Sequence, residues 1–295
     1  MTWHLPILLR ILVGNVLGQI ILKKVVHLPS RTRRLLWMFV SAAVIGWVTT
    51  ALVGHPFMGL TAFGAIALMG CVNAGAAYCQ WRAVEISQSR TAVFTWADDL
   101  IAMGLGYAIL SEQRYLTPTL VLGVVICVGC AVAMAFHKRA GSDEKSSRAS
   151  PFALLGWVAA YSVIWGVAAL VMRIYGLRAT SIFWFATAWY TGAVLGALVI
   201  RYTSSEKEQG EPLTLKGLAG VFVLSTTIWA ALALKYWASM LAPITVTQPV
   251  FQVSELVFPV LVGLFIFKEH QTLSHQGKLL LALATAGGIV IAFSY

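Results

Sequence analysis

Charge is what this sequence has least of. Asp, Glu, Lys and Arg make up 11% of its 295 residues, against 59% hydrophobic. A soluble domain keeps roughly a quarter of its residues charged to wet its surface, so a water-soluble enzyme or binding module is excluded. Cysteine is scarce too. The four cysteines lie in or beside apolar runs and give no basis for a disulfide framework. Cys127 and Cys130 form a C-x-x-C, but with no neighbouring His or further Cys the expected role is small-residue packing. The six histidines are scattered near the ends of apolar runs, so no metal and no cofactor is expected. Nor is a cleavable signal, because Arg10 interrupts the first apolar run and no small-residue cleavage site precedes the next charges.

What is abundant is apolar sequence in stretches of membrane-crossing length. Mean hydropathy is +0.81, and runs of about 20 residues, enough for a hydrocarbon core of about 30 Å, recur along the whole chain. Spans are expected at Leu5–Val26, Leu35–Gly54, Leu60–Ala83, Thr91–Leu110 and Pro118–Phe136. A second set is expected at Phe152–Tyr175, Ser181–Arg201, Leu215–Met240, Val246–Phe267 and Gly277–Phe293. Between them lies a polar linker, His137–Ser150. The fold class is thus all-α integral membrane, with ten transmembrane helices. The very short loops at Gly54–Met58 and Leu241–Pro243 make the helices they join antiparallel neighbours.

Five and five spans suggest a repeat, and the residues carry one. Gly106-Tyr-Ala-Ile-Leu-Ser-Glu112-Gln-Arg-Tyr-Leu116-Thr aligns without gaps on Gly263-Leu-Phe-Ile-Phe-Lys-Glu269-His-Gln-Thr-Leu273-Ser. Carried upstream, the same offset pairs Phe94 with Phe251, Thr95 with Gln252 and Asp98 with Glu255. The organisation expected is a first repeat over 1–136, the linker over 137–150 and a second repeat over 151–295. An odd number of spans per repeat makes the second inverted, with a central cavity near the midplane where the repeats meet.

These residues resemble the drug/metabolite transporter superfamily, in particular its ten-helix EamA-like members, over nearly the whole chain. The resemblance rests on the turns Ser111-Glu112-Gln113 and Lys268-Glu269-His270. Each precedes a glycine-bearing helix, with Gly123 and Gly129 in one and Gly277, Gly287 and Gly288 in the other. It rests also on Ala77-Tyr78-Cys-Gln-Trp-Arg82-Ala83 and Leu234-Lys-Tyr-Trp-Ala238, which look like the family's third and eighth helix endings. Asp98-Asp99 and Glu255-Leu256 match its acidic position before the turn glutamate, without the proline that often follows. The resemblance implies a small-molecule transporter, and export as its direction.

Positive charge is lopsided. Of 21 Lys and Arg, Arg10 and Lys235 fall inside spans, 16 follow odd-numbered helices, and Arg114, Arg173 and Arg178 lie on the other side. The positive-inside rule puts the odd loops in the cytoplasm of a bacterial-type inner membrane and both termini outside, the reverse of what the family resemblance implies. The net charge of +10 thus sets topology and implies no nucleic-acid partner.

An ionisable group in the bilayer core costs roughly 2.5–3.5 kcal/mol to insert and marks a functional site by default. Asp98 and Glu255 are such groups, near mid-depth and pseudo-symmetric. Asp99 follows Asp98 about 100° round the helix, so at most one of the two is expected to point straight at a cavity. Close carboxylates in a low dielectric hold their charge poorly, which suits proton uptake and release. The alternative is structural pairing, Glu255 with Lys235 and Asp98 with Arg82. Lys235 could also meet an anionic group of a substrate. Asn15 and Gln19, beside the G-x-x-x-G of Gly14 and Gly18, and Asn73 suit interhelical hydrogen bonds. Tyr78, Trp96, Trp165 and Trp229 lie within spans, where one or two could box a substrate; with carboxylates that suits an organic cation or amine, and with Lys235 an amino acid or other zwitterion. Glu112 and Glu269 are expected to accept hydrogen bonds from the amides of the helix that follows each.

The expected function is movement of a small polar or amphiphilic metabolite (amino acid, amine or drug-like compound) by alternating access, coupled to protons. The partners are then substrate, protons and the lipid bilayer, in a monomer or weak homodimer. Within transport, a lipid-linked sugar or lipid flippase is the alternative. A membrane-embedded transferase, the enzyme alternative, needs a catalytic cluster in long interfacial loops. No loop exceeds about 15 residues, and none gathers His, Asp and Arg, so an enzyme is not expected. A non-transporting receptor or assembly partner is a further alternative.

Overall fold

A computed structural model describes residues 3–26, 28, 30–86, 91, 96–136, 151–204, 214–262 and 275–293; the polar linker lies outside them. The described residues form ten helices. The first, α1, runs from His4 to Val26 and changes geometry on the way: His4–Arg10 and Gln19–Val26 are α-helical, and Ile11–Gly18 between them is π-helical. Then follow α2 (Arg31–Val53), α3 (Leu60–Ile86), α4 (Trp96–Ile109), α5 (Pro118–Phe136), α6 (Pro151–Leu177), α7 (Ile182–Thr203), α8 (Leu215–Leu241), α9 (Ile244–Leu261) and α10 (His275–Ala292). A single 3-10 turn, Glu112–Tyr115, links α4 to α5.

Among the described residues, six segments are long and apolar enough to cross a membrane: His4–Val25, Arg31–Val53, Leu60–Glu85, Ala153–Leu177, Ile182–Thr203 and Leu215–Leu241. Their outward faces expose large aliphatic side chains such as Leu8, Val44, Leu52, Leu68 and Val199, while Asn15, Asn73, Thr187, Ser225 and Lys235 are buried. That inside-out distribution suits a hydrocarbon solvent, in which unsatisfied polar groups must turn inward. The chain has the character of a multi-pass membrane protein.

Two helices depart from their expected bounds. Helix α4, read from the sequence as Thr91–Leu110, is described over 14 residues from Trp96; at 1.5 Å per residue it is about 21 Å long, and residues 92–95 lie outside the description. Helix α9 ends at Leu261, and the expected stretch to Phe267 lies outside it as well. It runs through both Pro249 and Pro259. Pro249 cannot donate to the carbonyl of Thr245, so the ladder there is short of one hydrogen bond.

The chain forms two compact units, Met1–Tyr78 with Ala168–Ala242, and Cys79–Val167 with Pro243–Tyr295. Each draws on both sequence repeats. In the first unit, small residues bring backbones close. A Cβ on Gly192 would strike the carbonyl oxygen of Ala67, one on Gly70 that of Trp189, and one on Gly196 that of Cys71. Helices α3 and α7 therefore run parallel in near-backbone contact, the packing that glycine permits within membranes. On its other side α7 is tied to α2 by the Thr50–Thr187 hydroxyl pair (2.8 Å) and by Trp47 Nε1 donating to Thr191 Oγ1 (3.2 Å). Two cations close helix ends. Arg34 donates to the carbonyl of Val25, in the last turn of α1, and Arg173 to that of Ser239, near the end of α8 (2.6 Å). Carbonyls at a helix C-terminus lack intrahelical donors and attract positive charge.

The second unit packs α5 on α10 and α4 on α9. Cys127 and Cys130 are both buried free thiols, and Cys127 Sγ donates to the carbonyl of Ala284 at 3.5 Å. A Cβ on Gly287 would meet Ile126 and Cys127.

Candidate functional site

Asp98 and Asp99 stand in the first turn of α4, where the helix N-terminus favours negative charge. Helix α9 lies antiparallel beside it, with Gly106 facing Ile244 and Thr245. That register carries Glu255 up to the aspartates. One carboxylate oxygen from each of Asp98, Asp99 and Glu255 lies within 4.8 Å of the other two. Asp98 and Asp99 are 3% and 1% exposed, and Glu255 is half-buried. An angular step of about 100° separates their Cβ atoms, but each side chain has two torsions with which to converge on a third group.

Further buried polar groups belong to the same unit. On α9, Gln248, Gln252 and Glu255 follow at the 4-and-3 spacing of a single helix face, and the two glutamines are buried with Oε1 lacking a hydrogen-bond partner. On α6, Ser162 is 1% exposed and its Oγ is likewise unpartnered. Ser162 sits one turn before Gly166, where an added Cβ would meet Ile101 and, at 3.1 Å, the carbonyl oxygen of Asp98. The α6 face bearing Ser162 is therefore the one pressed against the start of α4. Trp165, beside Tyr161 on α6 (ring centroids 6.4 Å), belongs to the same unit. Trp96 opens α4; its side chain lies outside the described residues. Arg82, the alternative partner weighed for Asp98, lays its guanidinium over the Trp157 ring at 5.8 Å.

Glu112 holds this unit together. Its Oε2 accepts from Thr245 N (3.1 Å) and Thr245 Oγ1 (2.9 Å) at the N-terminus of α9. The expected acceptor role is present, but for a helix more than a hundred residues away. The next helix, α5, takes its cap from Thr117, whose Oγ1 accepts from Leu120 N at 3.2 Å. Just before Glu112, Ser111 adopts a left-handed backbone (φ 56°). Glu269 lies outside the described residues.

The other sequence-selected residues belong to the first unit. Lys235 is 5% exposed and Asn15 is 2% exposed; Gln19 is half-buried. Asn73 is buried with Oδ1 unpartnered, and Trp229 is half-buried with Nε1 unpartnered. The ring of Tyr78 lies under the Arg31 guanidinium at 5.9 Å. Helices α1 and α8 are antiparallel in fixed register: Gly14 faces Ala231, Gly18 faces Thr227, and Val25 faces Gly220. Continued one turn, the register sets Arg10 level with Lys235. Arg10 donates to Asn15 Oδ1 at 2.6 Å, a five-residue reach that the π-helical stretch brings into line. Lys235 lies in this unit and Glu255 in the other.

Residues that the sequence reading passed over are Gln248, Gln252, Ser162 and Arg10. The first two were legible, because 248, 252 and 255 fall on one helical stripe. Arg10 was set aside as merely embedded. Ser162 carried no signal, since a serine in an apolar run is commonplace.

A 540 Å³ cleft in the first unit, lined by His55, Phe57, Arg178, Thr180, Phe183 and Met240 among others, contains none of the selected residues.

No family model matches the chain, and no curated protein is similar to it. Twenty-seven solved chains are similar in structure. One, a crystal structure described only as that of a protein, aligns with 99% of this chain and 96% of its own, with a TM-score of 0.68 at 15% identity. At that identity the likeness speaks for the fold alone.

Proposed function

We propose that this chain is a membrane transporter that carries a small polar or amphiphilic metabolite by alternating access and couples its movement to protons. In this reading it is an EamA-like member of the drug/metabolite transporter superfamily, built from two inverted five-helix repeats around a central cavity and exporting across an inner membrane. The observation that carries the reading is the carboxylate trio of Asp98, Asp99 and Glu255, gathered within 4.8 Å in the interior of an otherwise apolar chain. Three carboxylates this close repel one another strongly in a low dielectric, and association with a proton or a cation relieves the repulsion. A group that holds a proton in one conformation and yields it in another is what proton coupling needs. The fused repeats are sufficient as a monomer, and no enzymatic step is assigned.

For the substrate, Arg10 and Lys235 supply positive charge level with one another in the first unit, and none of that unit's described residues is acidic. An anionic group on the substrate suits that pair, so amino acids and other zwitterions rank above simple amines.

The test is proton release from purified protein in detergent on adding pooled candidate metabolites, in wild type, Asp98→Asn and Glu255→Gln. The reading expects a substrate pool to displace protons from wild type, with the signal lost in either variant. Binding seen as a thermal shift without proton release in any variant would rule out proton coupling.

A further inference from the structure

The carboxylate trio and the buried amide oxygen one turn from it on α9 offer oxygen donors suited to more than a proton. We propose that Asp98, Asp99 and Glu255, together with the side-chain carbonyl of Gln252, form a binding site for a hard divalent cation of about the size of calcium. The inference uses the same carboxylates as the proton-coupled reading but does not depend on transport taking place.

Three features support it. The first is size. Oxygen ligands to calcium lie at about 2.3–2.6 Å, so two of them on opposite sides of the ion stand roughly 4.6–5.2 Å apart. The three carboxylate oxygens lie within 4.8 Å of one another, inside the span of a single such coordination sphere. Magnesium, at about 2.0–2.1 Å in a strict octahedron, calls for a tighter set.

The second is charge. Three carboxylates with oxygens within 4.8 Å of one another repel in a low dielectric, which favours association with a cation. A divalent ion cancels two of those charges at one point.

The third is independent of the acids. Gln252 is 2% exposed, its Oε1 makes no hydrogen bond, and it lies one turn from Glu255 on the face of α9 that meets α4. A buried carbonyl oxygen without a donor is unfavourable, and coordination to a cation satisfies it. Gln248 Oε1 and Ser162 Oγ, both buried and unpartnered, are neutral oxygens of the same unit. Mixed carboxylate and amide-carbonyl oxygen is the donor chemistry of calcium and manganese. Zinc and copper sites are marked by imidazole or thiolate, and neither side chain belongs to this group.

The experiment is Mn2+ binding to the full chain in detergent, counted by the electron paramagnetic resonance signal of the free ion, with Ca2+ and Mg2+ as competitors. Wild type is expected to bind one Mn2+ per chain, displaced by Ca2+ more readily than by Mg2+. Glu255→Gln is expected to abolish binding, and Gln252→Leu to weaken it about ten-fold, while exposed Glu85→Gln leaves it unchanged. Circular dichroism and elution volume check that each variant is folded. No Mn2+ on folded wild type overturns the proposal, and metabolite-driven proton release can still be found in that case, so the two readings fail separately. Binding that survives both Glu255→Gln and Gln252→Leu also overturns it, because the ion would then sit elsewhere.

Discussion

Replacing Glu112 by alanine is expected to destabilise the protein by about 3 kcal/mol. One carboxylate oxygen, on a residue 7% exposed, takes both the amide and the hydroxyl of Thr245, which is itself fully buried. A hydrogen bond to a charged group is worth about 1.5–3 kcal/mol. The second bond shares the same acceptor and adds less, and the carboxylate's position at the N-terminus of α9 adds up to about 1 kcal/mol. Alanine forfeits all of this and leaves a buried amide and hydroxyl without their acceptor. Glutamine keeps a neutral carbonyl oxygen, so Glu112→Gln is expected to cost about half as much. The assay is unfolding of purified protein in mixed micelles by increasing sodium dodecyl sulfate, followed by circular dichroism. A cycle with Thr245→Val isolates the hydroxyl bond and is expected to give a coupling of about 1 kcal/mol. A cost below about 0.5 kcal/mol for Glu112→Ala, or single costs that simply add in the double variant, would refute the reasoning.

Other outcomes follow from the packing. Gly192→Val puts a side chain into the Ala67 carbonyl and is expected to cost about 1–3 kcal/mol in the same unfolding assay; Gly64→Ala, where an added Cβ meets nothing within 4 Å, is expected to stay within about 0.5 kcal/mol of wild type. Asn15→Leu removes the acceptor of Arg10 and is expected to cost about 1.5–3 kcal/mol, again read by unfolding. Arg10→Gln is expected to weaken binding of a substrate bearing a carboxylate while leaving binding of its amide analogue unchanged, measured by thermal shift.

What was legible in the sequence was what depends on local chemistry. Apolar runs marked where the helices lie, and among the described residues six of those helices are long and apolar enough to cross a membrane. The embedded acids stood out for the same reason. What escaped depends on tertiary geometry. Glu112 bonds to Thr245, 133 residues further along the chain, which no local pattern announces. The π-helical stretch in α1 leaves no mark in composition, so Arg10 and Asn15 read as unrelated residues when they are bonded. Asp98 and Asp99 lie about 100° apart on an ideal helix, and only side-chain torsions in the first turn of α4 bring an oxygen of each near Glu255. The buried Gln248 and Gln252 fall on the stripe ending at Glu255, but a neutral amide in an apolar run carries no charge to mark it.

The most direct test of the central claim is flux of the substrate found by proton release, in proteoliposomes under an imposed pH gradient. Coupled transport through the carboxylate trio predicts that the gradient drives substrate against its concentration in wild type. Asp98→Asn and Glu255→Gln, folded and inserted, should carry none. Substrate movement that ignores the gradient and persists in both variants would contradict the account.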